Sequence, residues 1–201
     1  MPRKINRAYK KGAPFRDFKK FVIIAEGERE DNYFTFFNHI NSRIQIAIVE
    51  RDGGKSAIKY FTNRATKYID REGLEKEDSL WFIFDIDRWP RKQIEDLAIL
   101  CGENVNWHIA ISNPCFEVWL FYHIVKEIDP QIDTPTKLKS ELNSLLLGGY
   151  DRDVFAKLIK TASSNASDKD TNKNHHMPSI LTTKLYLLAD EMLKFLGHNW
   201  S

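Results

Sequence analysis

The chain has 201 residues, of which 42% are hydrophobic, and a formal net charge of +2. This composition excludes a disordered or fibrous protein and suits one domain of ordinary size, or one domain with a small helical addition. No apolar run approaches the roughly 18–20 residues that span a bilayer, and the first twenty residues lack the apolar segment of a secretory signal. Cys101 and Cys115 belong to no CxxC motif, which argues against a disulfide framework or a cysteine zinc site. We therefore expect a cytoplasmic protein with reduced thiols.

The charge is unevenly distributed along the chain. Residues 1–20 carry eight basic groups and one acid, Asp17, so this basic arm has a charge of +7 and the remaining residues sum to −5. A basic arm on a mildly acidic body suits contact with a polyanion such as nucleic acid. The alternative is a solvated, partly disordered terminus.

Strand and helix signals alternate between residues 21 and 125. Short apolar runs predict four buried strands, at 21–25, 43–49, 80–84 and 106–111. Helical spacing of apolar side chains predicts a helix after each strand, at 30–40, 56–70, 91–100 and 115–125. This order predicts an α/β fold with a mostly parallel four-stranded sheet flanked by helices.

Strand signals stop after Asp129, which predicts a helical C-terminal extension. Helices are expected at 136–147, 151–161 and 179–196, and the polar stretch 163–176 is expected to be a mobile loop. The predicted organisation is therefore a basic arm (1–20), an α/β core (21–128) and a helical extension packed on that core (129–201).

Carboxylates follow two of the predicted strands. Glu26 comes directly after the first strand, and Asp85 and Asp87 come after the third. The carboxyl ends of parallel strands lie side by side, where open α/β folds place their sites. If the strand continued, Asp85 and Asp87 would point the same way. The three side chains would then form an all-oxygen site for Mg²⁺ or Mn²⁺. The alternative is that the aspartates belong to a turn or cap a helix.

The segment Ser112–Trp119 follows the fourth strand, so it lies at the same edge of the sheet as the predicted carboxylates. Glu117 falls in the first helical turn, where the helix dipole favours an acidic side chain, and it could add a fourth carboxylate to the cluster. His123 lies less than two turns further on, where it either faces a phosphate or packs between helices.

Three other patterns are weaker evidence for a functional site. Gly53-Gly-Lys-Ser56 ends like a P-loop, but Val49 stands where the motif needs glycine, so a plain strand-to-helix turn is favoured. His175 and His176 lack the further spaced ligands of a metal site, and Trp89 and Trp107 are interpreted as packing residues.

Several segments together resemble the RloB family, whose fold is Toprim-like. They are the basic arm leading into 21–28, then 32–34, Gly53-Gly54, 84–87, and 112–120 with His123, with weaker similarity at 149–150, 178–179 and 182–183. Toprim domains of topoisomerases, primases and nucleases use a glutamate after the first strand and a DxD after the third, around Mg²⁺. Glu26, Asp85 and Asp87 occupy those positions.

The resemblance implies a metal-dependent nuclease that acts on tRNA or DNA in anti-phage defence, with an ABC-type ATPase as a partner. A homo-oligomer is a further expectation. Catalysis is assigned to Glu26, Asp85, Asp87 and Glu117, with Mg²⁺ or Mn²⁺ held by the first three. Glu26 is expected to act as general acid or base. Substrate binding is assigned to Glu30, Arg88, Ser112, Asn113 and His123.

Two rival functions remain open from the residues alone. A non-catalytic module would use the same edge to bind nucleic acid, a phosphorylated trigger or an ATPase partner. Phosphoryl chemistry on a small nucleotide is the second rival.

Overall fold

The computed structural model describes residues 17–38, 40–51, 58–146, 149–197 and 200. Within these ranges the five strands are β1 (Lys19–Ala25), β2 (Ile44–Ile48), β3 (Ser79–Asp85), β4 (Trp107–Asn113) and β5 (Thr182–Thr183). The α-helices there are α1 (Glu28–Thr35), α2 (Ile58–Glu72), α3 (Arg91–Glu103), α4 (Glu117–Tyr122), α5 (Pro135–Leu145), α6 (Arg152–Lys157), α7 (Ile159–Lys169) and α8 (Leu185–Leu196).

The strands form one sheet in the order β2-β1-β3-β4-β5. The pairs β1–β2, β1–β3 and β3–β4 are parallel. The predicted mostly parallel α/β sheet flanked by helices is therefore confirmed, with strands close to the expected positions.

The sheet has one strand more than the four that were expected. β5 pairs antiparallel with the end of β4, and it lies in a stretch that was expected to be the start of the last helix. The Ser112 and Thr183 hydroxyls are 2.8 Å apart, and the Lys184 N–H donates to the Ile111 carbonyl at 2.8 Å. These contacts hold the backbone extended, so α8 begins only at Leu185.

Apolar side chains cover both faces of the sheet. Along β1, Phe21, Ile23 and Ala25 belong to the core on the side of α1, α4, α7 and α8. Val22 and Ile24 belong to the core on the side of α2 and α3. Burial on both faces explains why the strands read as continuous apolar runs rather than alternating ones.

The expectation of a mobile loop at 163–176 was wrong for its first half, because α7 continues to Lys169. This helix packs through small side chains, including Ala162, Ser163 and Ala166, so its buried face carries a weak hydrophobic signal. Ser163 Oγ donates to the Tyr186 carbonyl of α8 at 3.3 Å.

A buried arginine joins the carboxyl ends of β1 and β2. Arg64 of α2 is 2% exposed and donates to the carbonyls of Ala25 at 2.9 Å, Glu50 at 3.1 Å and Val49. Glu26 follows Ala25 directly, and its own N–H donates to the Ile83 carbonyl of β3 at 3.0 Å. The backbone that carries Glu26 is thus held from both neighbouring strands.

Two expected features, the basic arm up to residue 16 and the Gly53-Gly54 turn, lie outside the described residues. The boundaries at residues 20 and 128 stay a prediction. Among the described helices, none is long and apolar enough to cross a membrane.

Candidate carboxylate site

A pocket of about 290 Å³ lies at the carboxyl ends of β1 and β3 and is named here the carboxylate pocket. Five acidic residues line it, and four of them form its acidic cluster: Glu26 after β1, Glu30 in the first turn of α1, Asp85 at the end of β3 and Glu117 at the start of α4. Its other charged lining residues are Glu28, Arg29, Arg88 and Lys139. The fold therefore gathers carboxylates from separate parts of the chain and places cations beside them.

Glu26 is 8% exposed, and hydrogen-bond donors fix both of its oxygens. Oε2 accepts from the Asp85 N–H at 3.3 Å and from Trp89 Nε1 at 3.0 Å, while Oε1 accepts from the Arg88 guanidinium at 3.2 Å. Trp89 was interpreted as a packing residue, and it also orients this carboxylate. Three donors from one turn thus hold Glu26 in a single position.

Glu30 is buried against the turn that begins α1. A Cβ atom added at Gly27 would lie 2.5 Å from Glu30 Oε2, so the absence of a side chain at Gly27 leaves room for this carboxylate. The pKa of Glu30 is raised to about 7. Burial is the largest cause, a backbone hydrogen bond opposes it, and the negative charges of Glu26, Glu117 and Asp31 add to the rise. Glu30 was assigned to substrate binding, and the structure brings it into the acidic cluster.

Asp85 carries the strongest sign of charge crowding. Burial raises its pKa well above the usual range, and the carboxylates of Glu30, Glu26, Glu117 and Asp87 add to that shift in this order. The pocket lining contains five carboxyl groups and three basic side chains, so neighbouring carboxylates add to the effect of burial on Asp85.

Glu117 is 4% exposed and receives a hydrogen bond from the Arg29 guanidinium. The side chain of Arg29 is 41% exposed, and its guanidinium lies 5.7 Å from the centre of the Tyr150 ring. Glu117 and Glu26 are therefore each paired with an arginine that is itself open to solvent.

Asp87 lies apart from the pocket lining. The strand ends at Asp85, and Ile86–Arg88 forms a short 3-10 turn. The condition under which Asp85 and Asp87 would point the same way is therefore not met, and Asp87 is exposed to solvent.

Ser112, Asn113 and His123 have partners elsewhere in the fold. Ser112 Oγ contacts the Thr183 hydroxyl, and the Asn113 side chain donates to the Pro178 carbonyl at 3.0 Å. The imidazole of His123 lies between the Tyr33 hydroxyl and the Trp119 carbonyl, 2.9 Å from each. Burial lowers the pKa of His123 to about 3, so a neutral ring packs between helices, which was the alternative at this position.

The donor set of the carboxylate pocket fits a hard divalent cation, because carboxylate oxygens are the ligands that Mg²⁺ and Mn²⁺ prefer. Burial and neighbouring carboxylates both disfavour the ionised forms of Asp85 and Glu30, a situation that a bound cation would relieve. Among the side chains that the structure describes, no three Asp, Glu, His or Cys groups are already arranged to hold a metal ion together. Two of the four carboxylates are instead paired with Arg29 and Arg88.

Two cations of the pocket, Arg29 and Lys139, were missed from the sequence. Arg29 stands between Glu26 and Glu30 in a charged segment after a buried strand, which was a usable signal. Lys139 comes from α5, more than a hundred residues further along the chain, and only the packing of that helix brings it to the pocket.

A family model described as RloB-like protein matches residues 21–192. That range begins in β1, ends in α8 and includes every residue that lines the carboxylate pocket. No curated protein and no solved structure gives a significant match.

Proposed function

We propose that this chain, which belongs to the RloB-like family, is a metal-dependent nuclease that cleaves phosphodiester bonds of a nucleic acid at the carboxylate pocket. One observation carries the proposal: Glu26, Glu30, Asp85 and Glu117 line a single pocket together with Arg29, Arg88 and Lys139. Carboxylates suit a divalent cation, and basic side chains around them suit a phosphate.

Asp85 and Glu26 would hold Mg²⁺ or Mn²⁺, with Glu117 or Asp87 as a further ligand. When bound, such an ion neutralises the scissile phosphate and lowers the pKa of a coordinated water. The raised pKa values of Asp85 and Glu30 support this assignment, because burial, their largest cause, and the neighbouring carboxylates both disfavour an uncompensated negative charge, and a bound cation would offset both. Glu26 stays the candidate general acid or base if it does not ligate the metal.

Arg29 and Arg88 are the candidate phosphate-binding groups of the carboxylate pocket. Arg29 and Arg88 each hold a carboxylate through a guanidinium, and both side chains reach solvent. Once those carboxylates turn to a cation, the guanidiniums become available to the phosphates of the substrate, which they bind with charge-assisted hydrogen bonds. Lys139 is exposed at the same pocket and adds a third positive charge.

From the resemblance of the sequence to the RloB family, we further propose a Toprim-like fold and a role as an effector in anti-phage defence. A glutamate after β1 and an aspartate at the end of the adjacent β3 support the Toprim-like assignment. The substrate would be tRNA or DNA, and an ABC-type ATPase would be the partner.

A non-catalytic module is the second candidate, and a specific observation favours it. Arg88 and Arg29 already compensate the charges of Glu26 and Glu117 without a metal ion. With two of its carboxylates paired in this way, the site could bind a nucleic acid or a partner without cleaving it.

Incubation of the purified protein with total tRNA and with plasmid DNA, in Mn²⁺ and in EDTA, separates the two candidates. We expect cleavage of one substrate in Mn²⁺ only, and its loss in Asp85→Asn, because a missing ligand removes transition-state stabilisation of several kcal/mol. Asp96→Asn on the exposed face of α3 is the matched control and should cleave normally. Asp87→Asn shows whether the second aspartate contributes. Binding of nucleic acid without cleavage, unchanged in Asp85→Asn, would favour the module.

A further inference from the structure

The first half of β4 is a free edge of the sheet. β5 pairs only with Ser112 and Asn113, so within the described ranges no strand covers residues 107–110 on that side. A second pocket, of about 310 Å³, opens along this edge and is named here the edge pocket. It lies at the amino end of β4, about 20 Å along the strands from the carboxylate pocket.

Five of the twelve residues that line the edge pocket carry flat aromatic or imidazole rings. Trp81 and His108 stack with their ring centres 4.6 Å apart at 29°, and His175 and His176 stack at 4.7 Å and 18°. Trp107 adds a fifth ring on the opposite face of the sheet from Trp81 and His108, where it packs edge-on against Phe82 with ring centres 5.4 Å apart. Burial lowers the pKa values of His108 and His176, so these imidazoles are uncharged near neutral pH and offer faces suited to stacking.

The same pocket contains polar groups that lack partners. Nε2 of His176 is buried and has no hydrogen-bond partner within the described part of the chain. The Asn106 carbonyl accepts from Leu80 of β3, so by strand alternation the N–H and C=O of Ile109 point away from β3, toward the pocket. A ligand there meets a backbone donor and acceptor side by side, as the edge of a heterocyclic base requires.

The loop that forms the outer wall is held in place by a buried lysine. Lys184 is 1% exposed, and its Nζ donates to Asp170 Oδ2 at 2.5 Å and to the Asn172 carbonyl at 2.7 Å. The following residues, 173–176, line the pocket, and Lys173 is exposed among them. The wall is thus fixed in position. Lys173 Nζ donates to the Ser167 hydroxyl at 2.9 Å and has no ion pair with an acidic side chain among the described residues, so its charge is not compensated by a neighbouring carboxylate.

We propose that the edge pocket binds a nucleotide, with the base stacked among these rings against the Ile109 edge and the phosphate near Lys173. Aromatic faces, a peptide donor–acceptor pair, an unpartnered imidazole nitrogen and one exposed lysine together match that chemistry. The nucleotide is either a free nucleoside monophosphate or an unpaired nucleotide of a nucleic acid. The proposal is independent of catalysis at the carboxylate pocket.

Isothermal titration calorimetry of the whole protein in EDTA tests the proposal. The ligands are the four common ribonucleoside monophosphates, ribose 5-phosphate and a short single-stranded oligonucleotide. We expect binding of at least one base-containing ligand and none of ribose 5-phosphate. His176→Ala and Lys173→Ala should each weaken binding about fivefold to tenfold, as the loss of one hydrogen bond or ion pair does.

Two controls make the result decisive. Lys160→Ala removes an exposed lysine of α7 outside the edge pocket and should bind like the wild type. Asp85→Asn alters the carboxylate pocket and shows whether the ligand binds there instead. Binding of the oligonucleotide alone, weakened by the same two variants, supports the proposal and identifies nucleic acid as the source. No binding of any base-containing ligand, or affinity unchanged in both edge-pocket variants, overturns it. Loss of binding in Asp85→Asn would also overturn it, by placing the nucleotide at the other pocket.

Discussion

The pKa of Glu30 depends on the burial and on the neighbouring charges of the carboxylate pocket. It is 5% exposed, and its pKa is raised from 4.5 to about 7, first by burial and then by neighbouring carboxylates. Because a proton binds more tightly to Glu30 in the folded state than in the unfolded state, this residue favours folding at low pH. Its contribution is lost as the pH rises from about 4.5 to about 7.

Replacing Glu30 with glutamine should therefore flatten the pH dependence of stability. Relative to the wild type, we expect Glu30→Gln to gain on the order of 3 kcal/mol in unfolding free energy between pH 4.5 and pH 8, since each pKa unit corresponds to about 1.4 kcal/mol. Urea unfolding at several pH values measures the difference.

Glu28→Gln is the matched control, because this glutamate lies in the same turn of α1 with its side chain 93% exposed. Its pH profile should follow that of the wild type. Parallel profiles for Glu30→Gln and the wild type would contradict the raised pKa of Glu30.

Gly27 tests whether the position of Glu30, rather than its charge alone, matters to the pocket. Gly27 has an ordinary extended backbone, with φ −117°, so alanine introduces no strain there. Its Cβ would however lie 2.5 Å from Glu30 Oε2, and the flexible carboxylate must move. We expect Gly27→Ala to change unfolding free energy by less than about 1 kcal/mol and to reduce Mn²⁺-dependent cleavage at least tenfold.

Gly102→Ala in α3 provides the comparison, because nothing lies within 4 Å of the added methyl group. It should cleave like the wild type. Equal activity of both variants would show that the exact position of the Glu30 carboxylate is unimportant.

At the level of elements, strands that are buried on both faces of the sheet could be predicted from the sequence. Elements that form only through tertiary contacts could not. β1 and β3 are continuous apolar runs, so their places and the carboxylates that follow them could be predicted. β5 has two residues and no periodicity, and only its pairing with β4 makes it a strand. Asp87 was grouped with Asp85 because the 3-10 turn after β3 has no clear sequence signal.

A buried ion pair joins the residue after α7 to the residue before α8, and it can be tested directly. Asp170 Oδ2 accepts from Lys184 Nζ at 2.5 Å and from the Tyr186 hydroxyl at 2.6 Å. Removing one member leaves the other charge buried without its partner, so we expect Lys184→Met to cost about 3–5 kcal/mol of unfolding free energy.

The double variant Lys184→Met/Asp170→Asn should recover part of that loss, because neither charge then remains uncompensated. Urea unfolding of the two variants and the wild type measures both effects. Additive losses in the double variant would show that the two groups do not depend on each other. Lys169→Ala, whose ion pair with Glu127 is exposed, should change stability by less than about 1 kcal/mol.

Across the whole molecule, the two pockets lie at opposite ends of the parallel strands. The carboxylate pocket follows the carboxyl ends of β1 and β3, and the edge pocket lies beside the amino end of β4. β1 begins at Lys19, at the same end of the sheet as the edge pocket and about 10 Å from the start of β4, two strand spacings away. The basic arm is therefore attached at the end where we propose that a nucleotide binds.

Residues 1–16 contain six basic groups and no acid, so their deletion should weaken nucleic-acid binding strongly in low salt. If each group contacts a phosphate, the slope of log K against log salt should become shallower by up to about 4–5 units, since each contact contributes 0.7–0.9. Sixteen residues can extend to roughly 50 Å, which is enough to follow a strand of nucleic acid from the edge pocket to the carboxylate pocket. Fluorescence anisotropy of a labelled oligonucleotide, from 50 to 300 mM salt, measures the slope. Asp17 and β1 remain in the shortened chain. The unfolding free energy should stay within about 1 kcal/mol of that of the full chain. An unchanged salt slope would show that the arm does not contact phosphates, and the proposed path between the two pockets would lose its support.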